Sequence, residues 1–339
     1  MKAAVFKGPG QGLVIEERPD PAADVGEVVI RVHRAGICGS DLHMTSGAGP
    51  QLASNSIIGH EFCGEVVAVG AGVAHVRPGD RVTPLPFIGC GHCIACHAGT
   101  PHRCPAARID VVAGFCEYSR VGANDCVVLP PTVSDEEGAL VEPLAVGLQA
   151  VRKAALTVGA GVLVIGAGPI GLATAFWARR LGASTVVVAA NSARKGAIAT
   201  AMGASHFVAL QDAADPRRAM HDALGGLADV VFEAVGLPGT IDQAIGHVKP
   251  TGTVVVLGLC NGPDSFTPAV AVWKEVRLLF SMCYERTDFQ YTVDVIANGD
   301  HRPRAMITDT IRLGALPQRF ERLRNTSSDC KVMVDPQGQ

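Results

Sequence analysis

The chain has 339 residues, 48% of them apolar and 18% charged, with 39 glycines, 21 prolines and few aromatics. That length suits two domains, so apolar a chain can bury a large core, which excludes intrinsic disorder, and the glycines and prolines follow no period, which excludes a collagen-like chain. A formal charge of −3 offers no basic field for nucleic acid or an anionic membrane.

The first ten residues lack the basic region, apolar stretch and cleavage site of a secretion signal. A reducing, cytoplasmic location is therefore expected. There the eleven cysteines serve as metal ligands or small buried groups rather than as disulfides.

Residues 1–130 read as short β-segments between turns. Residues 26–33 alternate at strand spacing, residues 64–70 form an apolar run bounded by glycines, and the turn at Pro78-Gly79-Asp80 leads into a strand at 81–83. Two groups of metal-binding residue types lie among them. Cys38-Gly39-Ser40-Asp41-Leu42-His43 is followed by Gly59-His60-Glu61. On spacing alone, a structural cysteine and a surface histidine explain these residues as well as an open catalytic metal site does. Further on, Cys90, Cys93, Cys96 and Cys104 crowd four thiols into one short segment. Four thiolates close a tetrahedral shell around Zn²⁺ and leave no open position, which makes such a site structural. His92, His97 and His102 are spare donors in that segment. Pro105 keeps a ferredoxin-like iron–sulfur reading open, although the cysteine spacing differs.

After Pro130 the pattern changes. Ser134-Asp135-Glu136-Glu137 has the form of a capping box that starts an apolar helix running to about residue 151. Within it Glu142 is an isolated charge, either an exposed acid or a further ligand. Residues 154–178 carry no charge, but five glycines and a proline split them into a strand at 162–165, a tight turn and a helix at 169–181, so a membrane span is rejected. Strands follow at 185–189, 229–232 and 253–257, with helices at 194–202 and 240–247. This alternation predicts a parallel sheet covered by helices on both faces.

Gly166-Ala167-Gly168-Pro169-Ile170-Gly171 stands between the first of these strands and its helix. Glycines there permit a tight turn and let a pyrophosphate approach the helix N-terminus. An NAD-type site carries an acid at the end of the second strand, about twenty residues on. Here that strand ends at Ala190, and Ser192, Arg194 and Lys195 follow without a carboxylate. These groups suit the 2′-phosphate of NADP(H), which is favoured over NAD(H).

In this order along nearly the whole chain, the Cys38–His43 stretch, Gly59-His60-Glu61, the four-cysteine segment, Glu142-Pro143 and the glycine turn resemble the zinc-dependent medium-chain alcohol dehydrogenase family. Glu142-Pro143 resembles most its sorbitol (polyol) and idonate dehydrogenase branch. The resemblance implies a GroES-like, β-rich catalytic domain from residues 1–147 and 285–339, with a structural zinc lobe at about 88–105. A Rossmann domain, a doubly wound parallel sheet, would be inserted at 148–284. Two zinc ions per chain are implied. Cys90, Cys93, Cys96 and Cys104 would hold the structural one. Cys38 and His60 would hold the catalytic one, with Glu142, directly or through a water it holds, as third partner and Glu61 able to exchange with that water. Asp41 would orient the zinc histidine, Ser40 would take the alcohol proton, and His43 would relay it to solvent. Gly166, Gly168, Pro169, Ile170, Gly171, Leu257 and Cys283 would line the cofactor.

Such an enzyme transfers hydride between NADP(H) and a secondary alcohol, a polyol or the matching ketone. One alternative is a reductase of aldehydes or unsaturated alcohols, whose members generally carry cysteine where Glu142 stands. A lesser one is a non-catalytic zinc- and nucleotide-binding protein, which would not need Cys38, His60 and Ser40 together. The implied partners are a small-molecule substrate and further copies of the chain, as a homodimer or homotetramer, with neither nucleic acid nor membrane. The Cys38–His60 and Cys104–Gly114 intervals are a few residues shorter than in the polyol enzymes.

Overall fold

A computed structural model of the protein describes residues 1–47, 52–109, 112–325 and 328–338. Two compact units divide the chain, one of Met1–Glu142 with Tyr284–Gln339, the other of Pro143–Cys283.

The unit built from both chain ends is rich in β-structure. Its main sheet orders Ile307–Arg312, Lys331–Asp335, Glu27–Gly36, Glu61–Val69, Arg81–Pro84 and Cys126–Val128, with Tyr118–Gly122 also paired to Glu27–Gly36. Apolar residues at strand spacing, Val28, Ile30 and Val32, enter one core with Phe62, Val66, Val82 and Phe115, and the alternate residues Glu27 and Val29 are buried as well. Two strands are longer than the alternation predicts. The first runs on to Gly36 and its partner begins at Glu61, with register shifts between Val29 and Ile30 and between Val32 and Arg34. Those irregularities break the two-residue period, while cross-strand pairing carries the ladder past them. Its last rung sets Gly36 opposite Glu61. That pairing brings the two candidate motifs of the first metal group to one end of the sheet.

Helix Asp135–Ala154 starts from the capping box. The Ser134 amide donates to Glu137 Oε2 at 3.0 Å, and the Glu137 amide to Ser134 Oγ at 3.3 Å.

The other unit is a six-stranded parallel sheet in the order His206–Ala209, Thr185–Ala190, Gly161–Ile165, Ala228–Glu233, Val248–Val256 and Arg277–Phe280. Successive residues Val162, Leu163 and Val164 are all fully buried, so both faces of the sheet are covered. The order reverses beside Gly161–Ile165, which creates a switch point at the carboxyl ends of the strands, where nucleotides bind in such sheets. The charge-free stretch at 154–178 contains the Gly161–Ile165 strand and helix Pro169–Arg180 up to its two closing arginines, Arg179 and Arg180. Among the described residues no helix is long and apolar enough to cross a membrane.

Four elements of this unit have no counterpart in the sequence reading, and two of them, helix Pro268–Trp273 and strand Arg277–Phe280, have no fully buried side chain. Strand His206–Ala209 has only four residues and one buried side chain, and helix Pro216–Leu224 buries only Met220, so neither carries a strong apolar period. The stretch at 194–202 is a 3₁₀ turn, Ala193–Lys195, followed by helix Gly196–Ala201. A glycine at the junction disfavours one continuous helix.

Candidate active site and metal centres

The Gly36–Glu61 rung leaves Cys38 two residues beyond one strand and His60 one residue before the other. Cys38, His60 and Glu61 each present a donor atom, and these lie within 4.8 Å of one another. Asp41 fixes the first two. Its Oδ2 accepts the Cys38 amide at 3.0 Å and its Oδ1 lies 3.2 Å from His60 Nδ1. That contact turns His60 Nε2 inward, as an outer partner orients a metal-binding histidine. Ser40 Oγ donates to Cys38 Sγ at 3.2 Å and stands 3.5 Å from His60 Nε2. His43 is exposed and lies three residues after Ser40 on the short helix Gly39–Met44, so the two share a helix face. Backbone packing shapes the floor. Gly59 has φ +93°, and a Cβ there would come within 2.7 Å of the Phe115 ring.

Glu142 is buried beside this group but is not one of the three clustered donors. Burial pushes its carboxyl up to about 7; His60 pulls the other way, Glu61 adds to the rise, and the Tyr284 hydroxyl hydrogen-bonds to it. His60 sits well above its ordinary value, because Asp41 and Cys38 outweigh the lowering effect of burial. The causes differ, but Cys38, Glu61 and Glu142 crowd acidic donors around His60. A dication answers that crowding, and a thiolate, an imidazole and carboxylates are a donor set for zinc.

In the second group, Cys90 Sγ and Cys93 Sγ lie 3.9 and 3.6 Å from Cys96 Sγ, while the Cys90 amide donates to Cys104 Sγ at 3.4 Å. Sulfurs bound tetrahedrally at about 2.3 Å stand about 3.8 Å apart, so the spacing suits one ion. An iron–sulfur cluster would spread its four thiolates over two or four irons, which does not suit four donors lying within 4.8 Å of one another. All eleven cysteines are free thiols. The approach depends on Gly89, where a Cβ would lie 2.6 Å from Cys96 Sγ. Hydrogen bonds, first from the His92 amide, lower Cys90 to about 6, whereas burial raises Cys96 to about 12. His92 uses Nδ1 on the Cys90 carbonyl, and none of the three histidines joins the cluster.

In the parallel-sheet unit the three glycines of the turn have separate reasons. Gly166 has φ +107°, Gly168 faces open space, and a Cβ on Gly171 would run into the Gly166 carbonyl. Helix Pro169–Arg180 opens there with Pro169 in its first turn, leaving Ile170 and the helix N-terminus beside the glycine turn, a favourable place for a phosphate. Ser192 precedes the 3₁₀ turn that carries Arg194 and Lys195. Among the described residues neither cation takes part in an ion pair. Leu257 follows the Val248–Val256 strand and donates its amide to the Glu233 carbonyl at 2.8 Å. Cys283 is half-buried with φ +57°, a strained conformation for a side chain with a Cβ.

Sequence reasoning missed three residues. Glu233 is buried and accepts the amides of Val235 and Gly236 at 2.7 and 2.9 Å; its signal was a lone acid ending an apolar strand. Tyr284 holds Glu142. Lys331 is fully buried against Glu61; its only mark is a cation opening an apolar strand near the chain's end.

Residues 24–131 match the alcohol dehydrogenase GroES-like domain family and residues 169–298 the zinc-binding dehydrogenase family. Sorbitol dehydrogenase of Bacillus subtilis (strain 168) is 32% identical over 99% of this chain and 97% of its own. Two solved structures each cover 99% of both chains. One is a zinc-binding dehydrogenase from Sinorhizobium meliloti 1021 bound to NADP, with TM-score 0.89 and 31% identity. The other is 2R,3R-butanediol dehydrogenase from Bacillus subtilis, with TM-score 0.88 and 30% identity. The parallel-sheet unit is thus a Rossmann domain and the β-rich unit GroES-like. The chain is an oxidoreductase acting on a CH–OH group and belongs to the zinc-dependent medium-chain alcohol dehydrogenase family, in its sorbitol (polyol) branch.

Proposed function

We propose that this chain is a zinc-dependent dehydrogenase interconverting a polyol or other secondary alcohol with its ketone, and that its cofactor is NADP(H). The GroES-like unit carries the chemistry and the inserted Rossmann unit the cofactor. Cys38 and His60 hold a catalytic zinc with Glu142 as third partner, while Cys90, Cys93, Cys96 and Cys104 hold a structural one. Bound at Cys38 and His60, zinc supplies Lewis acidity, which polarises a carbonyl or acidifies an alcohol.

The protein's own groups do the rest. Asp41 keeps the His60 ring turned inward and the Cys38 amide fixed. Ser40 Oγ, already between Cys38 Sγ and His60 Nε2, takes the proton that leaves the substrate hydroxyl. His43, exposed on the same helix face, passes it to solvent. The glycine turn and the start of helix Pro169–Arg180 receive a pyrophosphate. Arg194 and Lys195, with no carboxylate beside them at Ala190, take a 2′-phosphate. As in the branch it resembles, the chain is expected to form a homodimer or homotetramer.

The observation that carries this reading is the trio of Cys38, His60 and Glu61 donors within 4.8 Å, with the Ser40 hydroxyl at its edge. It is supported by similarity to a sorbitol and a butanediol dehydrogenase and to an NADP-bound structure. The test is a screen of polyols, secondary alcohols, aldehydes and ketones with NADP(H) and NAD(H), read by nicotinamide absorbance. Turnover of a polyol or secondary alcohol pair, faster with NADP(H), is expected. Turnover confined to unsaturated aldehydes, or faster with NAD(H), would contradict it.

A further inference from the structure

Glu61 and Lys331 are both fully buried, although 270 residues separate them in the chain. Lys331 Nζ lies 2.7 Å from Oε1 and 2.5 Å from Oε2 of Glu61, and donates to the Ile37 carbonyl at 3.1 Å. All three ammonium protons therefore have acceptors. Three strands build the arrangement. Gly36 pairs with Glu61 on one side and with Met333 on the other, and Lys331 opens the latter strand two residues earlier. A side chain at Gly36 would not fit, since its Cβ would overlap Glu61 Oε2 and lie 3.2 Å from Lys331 Cδ.

Charge balance gives this pair a task. Cys38, Glu61 and Glu142 are three acidic groups gathered at one site, and Lys331 is the buried cation in contact with one of them. Glu61 is also near enough to reach the metal, because its carboxylate belongs to the trio within 4.8 Å. To do so it must give up an ion pair in a dry interior, where an unpaired charge is heavily penalised.

Given the assignment of Cys38 and His60 as metal ligands, on which this rests, we infer that Lys331 is a positioning residue that holds Glu61 back from the metal. Cys38 and His60 then remain donors, with Glu142, directly or through a water it holds, as third partner and a position left for substrate. Without the ammonium, Glu61 turns to the metal, closes that position and traps the ion.

The experiment follows zinc release to a chelator from the purified, zinc-loaded enzyme, with the Cys38→Ser variant defining release from the structural site. The cobalt-substituted proteins supply a visible spectrum that reports ligand number. Lys331→Met should slow Cys38-dependent release and raise KM, each by roughly tenfold or more, and should shift the cobalt bands toward a higher ligand number. Lys331→Arg, and Lys331→Met combined with Glu61→Gln, should restore wild-type release and bands, which a merely structural defect would not do. Glu61→Gln alone should release metal at the wild-type rate, a check that stands even where Lys331→Met fails to fold. Wild-type release and bands in Lys331→Met would overturn this role, as would the double variant behaving like Lys331→Met or faster release from Glu61→Gln. A wild-type enzyme with no Cys38-dependent zinc would instead overturn the metal-site reading beneath it, and this role with it.

Discussion

Asp41 links both donors of the proposed catalytic centre through one carboxylate, taking the Cys38 amide on one oxygen and facing His60 Nδ1 with the other. Glu233 works alike in the Rossmann unit, where its carboxylate holds two amides of one loop and its carbonyl holds two more, from Leu257 and Gly258. In both places a buried acid converts a flexible turn into a fixed one by satisfying donors that would otherwise be stranded. Arg194 is different, since it is exposed and has no partner acid to leave. If it pairs with a 2′-phosphate, Arg194→Ala should raise the Kd for NADP(H) roughly ten- to hundredfold, with NAD(H) affinity unchanged. Fluorescence titration with both nucleotides checks this; an equal loss for both would refute the role.

At the scale of elements, the Rossmann sheet holds its helices with buried polar contacts as well as apolar ones. Lys274 Nζ donates to the carbonyls of Ile245, Gly246 and Val248 at 2.8, 3.1 and 2.8 Å, capping the end of helix Thr240–His247 where a cation is favoured. The same end carries His247, 4% exposed, with Nδ1 3.1 Å from His221 Nε2. Burial, then His221, Arg217 and Lys274, push His247 down to about 4. His221 is lowered too, chiefly by burial. Between its ordinary value and about 4, an unfolded chain binds a proton at His247 that the folded chain refuses. Stability from this residue is therefore fully present above about pH 6.5 and lost as pH falls toward 4, by about 3 kcal/mol at most. His247→Gln should flatten that part of the Tm–pH curve, and an unchanged slope would show that His247 does not set it.

Across the whole molecule, what could be read from sequence depended on the range of the contact. The Rossmann strands and the glycine turn were legible because their signal is local: short apolar runs, and glycines placed where φ is positive or a Cβ would strike a carbonyl. The four-cysteine segment was legible for the same reason, its donors lying within fifteen residues. Spacing alone left Cys38 and His60 undecided, because they meet through a strand register that runs past two bulges. The order of motifs, through family resemblance, was what joined them. Lys331 and Tyr284 were not legible at all. Their partners are remote in sequence, and a lysine opening a strand looks like any solvated end until the third strand of the sheet is in place.

Central to this account is one molecule holding two different zinc sites, a closed one of four thiolates and an open one at Cys38 and His60. Metal analysis of the purified wild-type chain and its Cys38→Ser variant tests that most directly. Two zinc ions per chain in the wild type and one in the variant, with nucleotide binding intact in both, are predicted. One ion in the wild type, two in the variant, or iron in either, would contradict it.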